Sequence, residues 1–395
     1  MNVALYLHFP YCRSRCTYCD FNAYQDAGES ARDDYIEALC QDIRQVGSEG
    51  DYRIATVFCG GGTPSLQSAE QMARVLDTCR QAFDFQPREL TLEANPGTLS
   101  AEQLVGLRAA GFNRLSLGVQ SFESRLLAQL QRIHSPQEVE LACTWARQAG
   151  FDNLSLDLIY GLPGQSASGW RDTLQRALQL KPQHLSCYQL TVEPHTHLEV
   201  QLRRGELKLP AESTLENMER FLKQDLKQAG FQRYEVSNWS LSGFHSRHNL
   251  WYWKDRPYLG LGCGATGFIG GWRIRRLLHP HAYQQALARG ASPIAVAERR
   301  DAEGALRDHL MMGLRTRWGV NLAALRRRFP HLKKQALESF LQSLPRDWWL
   351  LNHHRLKLSS RGVEFASSVC EAMMDVLLLA PQRAAESRTK VASLA

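Results

Sequence analysis

The chain has 395 residues, 44% of them hydrophobic, so it can bury a large core distributed over at least two domains. No secretory signal and no uninterrupted apolar run of membrane-spanning length is expected, and the ten cysteines lack disulfide-framework spacing, which fits a reducing, cytoplasmic compartment. The charge is uneven: residues 1–270 carry 26 Lys and Arg against 30 Asp and Glu, and residues 271–395 carry 21 against 10, which makes the carboxyl-terminal part a basic partner surface open to an acidic ligand, anionic lipid or nucleic acid.

An apolar run at 3–9 reads as a strand, and Cys12, Cys16 and Cys19 follow it directly with the spacing C-x-x-x-C-x-x-C. Three thiolates can hold three corners of a four-iron four-sulfur cube, leaving one iron open for a non-protein ligand. Zinc is the alternative on spacing alone, although structural zinc commonly takes a second ligand pair and the chain has no second C-x-x-C. Strand and helix then alternate. Helices are expected at 32–46, 69–82, 101–109, 123–130, 136–148 and 169–179, with strands at 54–58, 89–93, 114–117, 153–158 and 184–188 between them. Gly111, Gly150 and Gly230 follow amphipathic stretches as helix stops. Repeated strand-helix units imply a parallel sheet with right-handed crossovers, whose ligands gather at the carboxyl ends of the strands.

The residues at those ends are informative. Gly60-Gly61-Gly62-Thr63-Pro64 follows the second strand, where glycines let backbone amides approach a ligand. Glu93, Gln120 and Asp157 end later strands, and Arg132 follows Gln120. Together with Tyr6, His8, Pro10, Tyr18 and Asp20 around the triad, these segments resemble the radical S-adenosylmethionine (SAM) enzymes of the oxygen-independent coproporphyrinogen oxidase superfamily. The resemblance implies a partial (β/α)6 barrel, a 4Fe-4S cluster on Cys12, Cys16 and Cys19, and SAM chelating its open iron. By the same resemblance Gly61, Gly62 and Thr63 cradle the methionine amino group, Arg132 meets its carboxylate, and Gln120 and Asp157 meet the ribose. Glu93 then serves the methionine end or the ribose, and Tyr6 lies near the cluster. The oxidase itself typically continues with a further cysteine after the triad, where this chain has Phe21, and it carries a longer leader. Both departures are instead similar to the HemW-type haem chaperones, the non-oxidase branch.

Downstream, 245–267 contains His248, Asn249, Tyr252 and Trp253, which match the H-N-x-x-Y-W motif of that branch. An imidazole beside aromatic faces suits haem, so the resemblance makes His248 a haem-ligand candidate, with His245 and Cys263 behind it. Thr266 stands where the family often has a histidine. The stretch 297–374 reads as a small helical bundle ending in a two-strand wing. A winged-helix shape with positive charge can bind DNA, but no recognition motif accompanies it, and no nucleic-acid partner is expected.

The expected organisation is a radical SAM barrel over 1–235, a connecting segment with the haem motif at 236–296, a smaller α+β, winged-helix-like carboxyl-terminal domain at 297–380, and a disordered tail at 381–395. The expected function is a haem chaperone that carries a 4Fe-4S cluster and SAM, binds haem, and passes it to an acceptor haem protein such as a respiratory enzyme, with peripheral membrane contact left open. The alternative is an oxygen-independent coproporphyrinogen III oxidase, an enzyme of porphyrin biosynthesis that decarboxylates two propionates oxidatively.

Overall fold

The computed structural model describes residues 1–330 and 334–378; the tail expected at 381–395 lies outside the described residues. Two units are present. The first comprises Met1–Gln232, Ser237–His248 and Pro257–Glu298, and the second comprises Arg233–Val236, Asn249–Arg256 and the described residues from Arg299 onward.

The first unit is built on a thirteen-stranded sheet. Six of its strands are β1 (Asn2–Phe9), β2 (Arg53–Gly61), β3 (Leu90–Ala94), β4 (Arg114–Gln120), β5 (Leu154–Tyr160) and β6 (His184–Gln189), lying side by side in chain order and all parallel. Most of their residues are buried, as expected of parallel strands covered on both faces. Register is explicit at the carboxyl ends, where His8 pairs with Gly60 and Gly118 with Asp157.

Local sequence fixes the crossover helices. Ser68 caps Ala69–Ala82 and Ser135 caps Pro136–Gln148, each in a reciprocal capping box with Gln71 or Glu138. Gly111 closes Ala101–Ala110 at φ +117°, a conformation that glycine adopts without strain. The helices expected at 69–82 and 136–148 match, while the first runs from Glu29 to Ser48, longer than expected.

Most of 236–296 belongs to this unit and extends its sheet. Asn238–Ser240 pairs antiparallel with β6, and Tyr258–Leu261 pairs parallel with the free side of β1, Ala4 opposite Tyr258 and Leu7 opposite Leu261. Thr266–Ile269, Trp272–Arg276 and Ile294–Arg299 continue outward from there. A buried ion pair anchors the extension: Arg276 donates to Asp42 at 3.0 and 3.2 Å, and Tyr283 Oη donates to the same carboxylate at 2.8 Å. Both charges are almost fully removed from water, so removing either partner alone would leave the other stranded.

In the second unit Leu306, Leu310 and Leu314 of Ala302–Leu314 pack with Leu325, Leu341, Trp348 and Val369. Trp348 stacks on Phe365 with ring centroids 4.3 Å apart. The expected wing is present as Trp349–Asn352 and Arg355–Leu358, joined by a third short strand, Val320–Asn321. No helix among the described residues is long and apolar enough to cross a membrane.

Candidate functional site

A cavity of about 380 Å³ opens at the carboxyl ends of β1 to β6. Its wall includes Cys12, Cys16 and Cys19, the turn Gly61-Gly62-Thr63, and Glu93, Gln120, Arg132 and Asp157. Residues scattered over some 145 positions in sequence thus share one wall, because each ends its strand or opens the loop after it. Tyr6 does not line the cavity; its hydroxyl donates to His8 Nδ1 at 3.0 Å, while His8 Nε2 donates to the Asn22 carbonyl at 2.9 Å. Tyr6 and His8 therefore brace the cysteine loop from beneath.

Two of the thiols receive hydrogen bonds. Thr63 Oγ1 donates to Cys12 Sγ at 3.3 Å, and Arg132 Nη1 donates to Cys16 Sγ at 3.3 Å. The other arm of Arg132, Nη2, donates to the Gly118 carbonyl at 2.6 Å, and its Nε is buried with no hydrogen-bond partner. Arg132 lines the cavity, so its guanidinium is a cation there suited to a ligand carboxylate. Burial raises the Cys12 thiol above its ordinary range, and raises Cys19 to about 11, which favours the protonated thiols at neutral pH. Among the described residues no three His, Cys, Asp or Glu side chains close on a single ion. The donor set, three soft sulfurs on one loop with a cationic group beside them, fits an iron-sulfur cluster whose corners separate the thiolates.

The glycine turn is shaped by contact. Gly61 sits at φ +112°, and a Cβ there would stand 2.5 Å from His8 Cε1. Its amide donates to Glu93 Oε2 at 3.3 Å. Glu93 is pushed up to about 8, first by burial and then by the charge of Asp157. Asp157 is raised by burial, against hydrogen bonds from Ser186, Ser116 and Ser155; Ser116 Oγ lies 3.0 Å from Oδ2. One carboxyl is thus protonated and the other solvated by hydroxyls, an acceptor pair suited to ammonium or ribose hydroxyl donors. Gln120 adopts φ +65°, a turn away from its strand that a bulge in the β4–β5 register accompanies.

Several contributors are not evident in the sequence. Ser116 and Ser186 are ordinary strand residues until the register sets them beside Asp157. His134 lies between two acceptors, Nε2 3.1 Å from the Val119 carbonyl and Nδ1 3.1 Å from Asn95 Oδ1, so it pins the loop that carries Arg132. The R-x-H spacing was the available signal.

The structure places His248 in the interior of the first unit. It is fully buried; Thr56 Oγ1 lies 2.9 Å from its Nδ1, and the Phe58 ring stands 5.2 Å away. The backbone amides of Arg247 and His248 both donate to Glu89 at 2.9 Å, so this carboxylate caps the helix Arg247–Trp253. Burial pushes the imidazole down to about 3, keeping it neutral. Cys263 is likewise buried, and His245 is half-buried.

Comparison with known proteins gives consistent findings. Residues 6–177 match the radical SAM superfamily. The chain is 38% identical over 376 residues to the heme chaperone HemW of Mycobacterium tuberculosis, covering 94% of each chain. It is 35% identical to HemW of Bacillus subtilis, covering 87% of this chain and 90% of that one, and 40% identical over 290 residues to HemW of Escherichia coli, covering 72% and 76%. Among solved structures, the coproporphyrinogen III oxidase HemN of Escherichia coli, a radical SAM enzyme, superposes with a TM-score of 0.82 over 95% of this chain and 90% of that one. At 21% identity this is a likeness of fold.

Proposed function

The chain belongs to the HemW family of the radical SAM superfamily, and from that premise we propose that it is a cytoplasmic haem chaperone that binds haem and delivers it to an acceptor haem protein. Cys12, Cys16 and Cys19 hold a 4Fe-4S cluster, and the cavity beside them holds SAM. The observation that carries the SAM site is Arg132, which lines the cavity and is fixed there by Gly118 and Cys16. The Gly61-Gly62-Thr63 turn supplies close backbone approach, and Gln120, Glu93 and Asp157 supply acceptors along the same cavity. When bound, the cluster supplies an open iron for an amino-acid chelate and an electron. The protein's own part is to orient, to exclude water, and to hold the Glu93 proton.

Anaerobic reconstitution tests the reading. The full chain should take up a four-iron cluster, bind SAM, bind haem, and restore haem to an apo-acceptor. Formation of decarboxylated product from coproporphyrinogen and SAM would instead establish the oxidase reading. Failure to bind haem at all would remove the chaperone assignment.

A further inference from the structure

We propose that His134 is a positioning residue of the SAM cavity: without touching the ligand, it fixes the strand end that carries Gln120 and ties it, with Arg132, to the loops that carry Glu93 and the glycine turn. This rests on the reading of the cavity as a SAM site. His134 is buried and lies outside the cavity wall, so any part it plays in recognition passes through the groups it holds.

The ring holds a strained turn on one side. Nε2 stands 3.1 Å from the Val119 carbonyl, and the same oxygen accepts the Ser121 amide at 2.8 Å. That bond closes a three-residue turn with Gln120 at its centre at φ +65°, the uncommon γ form, which costs a non-glycine residue conformational energy. The Val119 carbonyl and the Gln120 amide share one rigid peptide plane, so a group that fixes the oxygen also fixes the direction in which Gln120 leaves the strand. On the other flank of Val119, the Gly118 carbonyl accepts Arg132 Nη2 at 2.6 Å, and Arg132 lies two residues before His134 in the chain. One imidazole thus braces the turn between the two side chains that the cavity presents from this strand end and its loop.

On its other side the ring reaches the neighbouring strand ends. Nδ1 stands 3.1 Å from Asn95 Oδ1, which also accepts the Gly97 amide at 3.2 Å. Asn95 lines the cavity two residues after Glu93, and its own amide donates to Ser65 Oγ at 3.2 Å, in the segment that leaves the glycine turn. Ser65 Oγ lies in turn 2.6 Å from Thr98 Oγ1. The belt Ser65–Asn95–His134–Val119 therefore joins the loops after β2, β3 and β4 and sets them in a common register. The ring is confined within it, since a Cβ on Gly97 would stand 3.2 Å from His134 Cβ. A neutral imidazole has a single N–H. Asn95 Oδ1 already has a donor in the Gly97 amide, whereas the Val119 carbonyl belongs to the strained turn, so the Nε2 contact is the one that positions.

The test is calorimetric SAM titration of the anaerobically reconstituted full chain, with electron paramagnetic resonance of the reduced cluster before and after SAM. His134→Ala should keep its cluster and bind SAM about tenfold more weakly or worse, the scale of one lost hydrogen bond at a site that fixes ligand contacts. A glutamine amide nitrogen reaches the place of imidazole Nε2, and that of asparagine reaches only the place of Nδ1. His134→Gln should accordingly recover an affinity within about threefold of wild type, together with the spectral change that SAM induces, while His134→Asn should recover neither. Leu226→Ala, a buried truncation in the helix Glu212–Gln228, should lower stability in urea and leave SAM affinity unchanged, which separates positioning from loss of stability. Wild-type affinity in His134→Ala, equal affinities in the Gln and Asn variants, or an equal loss in Leu226→Ala overturns the positioning role and leaves the SAM site standing. If His134→Ala does not fold, the comparison of Gln with Asn decides alone. A wild-type chain that binds no SAM overturns both.

Discussion

Replacing Glu93 by Gln should stabilise the cluster-free protein, and by an amount that grows with pH. In the fold this carboxyl is raised to about 8 by burial and by Asp157, against 4.5 for the unperturbed group. A raised carboxyl is favoured in its protonated form by the native state. Its contribution to stability is therefore fully present below the unfolded value and is lost as pH climbs toward the folded value. At about 1.4 kcal/mol per pH unit, the loss relative to acid conditions is about 2 kcal/mol at pH 6 and about 4 kcal/mol at pH 8, an upper bound because water entry and side-chain relaxation soften the penalty. Gln keeps the shape and an oxygen acceptor for the Gly61 amide while carrying no charge at any pH. Urea unfolding of wild type and variant at pH 5, 6, 7 and 8 measures this directly. The two curves should diverge steadily above pH 5, with the variant the more stable. Parallel curves, or a wild type that gains on the variant with rising pH, would refute the argument that burial and Asp157 outweigh the favourable charge of Arg114 and the Gly61 hydrogen bond at Glu93.

Three further outcomes follow from named contacts. Arg132→Ala should retain the cluster yet lose about 2 kcal/mol of SAM affinity, roughly thirtyfold, the scale for a charged group deprived of its hydrogen-bonded partner; isothermal titration showing undiminished affinity would remove Arg132 from the site. Gly61→Ala combines φ +112° with a Cβ 2.5 Å from the His8 ring, so it should cost about 2 kcal/mol or more in urea unfolding and disturb the Tyr6–His8–Asn22 brace. A variant as stable as wild type would mean that the turn is pliable. His248→Ala should destabilise by about 2–4 kcal/mol through the cavity and the lost Thr56 contact; a variant as stable as wild type in urea unfolding would mean that the buried imidazole contributes nothing to the fold.

The barrel was legible because each unit carries its own punctuation. Ser68 with Gln71 and Ser135 with Glu138 mark helix starts in the sequence, and apolar runs of five to nine residues mark parallel strands. The cavity wall was legible through residues that chemistry requires at strand ends, and its thiols, glycine turn and carboxylates are brought together as a set. What the sequence hid depends on pairing partners far away. Tyr258–Leu261 is a four-residue segment beside Gly260 and Gly262, with no periodicity to announce that it flanks β1. The surroundings of His248 were hidden for the opposite reason: histidine beside aromatics looks the same in sequence whatever encloses it, and its contacts with Thr56 and Phe58 and the Glu89 cap come from distant strands.

The parallel pairing of β1 with Tyr258–Leu261 also sets a timetable for biosynthesis. β1 gains β2 soon after its own synthesis, but its other edge waits for a partner about two hundred residues later. At about 5–20 residues per second, that edge, running through Ala4, Leu5 and Leu7, stays unsatisfied for roughly 10–40 s of translation. A nascent chain with six parallel strands in place and an apolar strand edge still open is a substrate for trigger-type holding factors and, without them, for pairing with a neighbouring chain. Truncations ending before Pro257 should consequently be recovered as aggregates even though every cysteine and every cavity-lining side chain has already been synthesised.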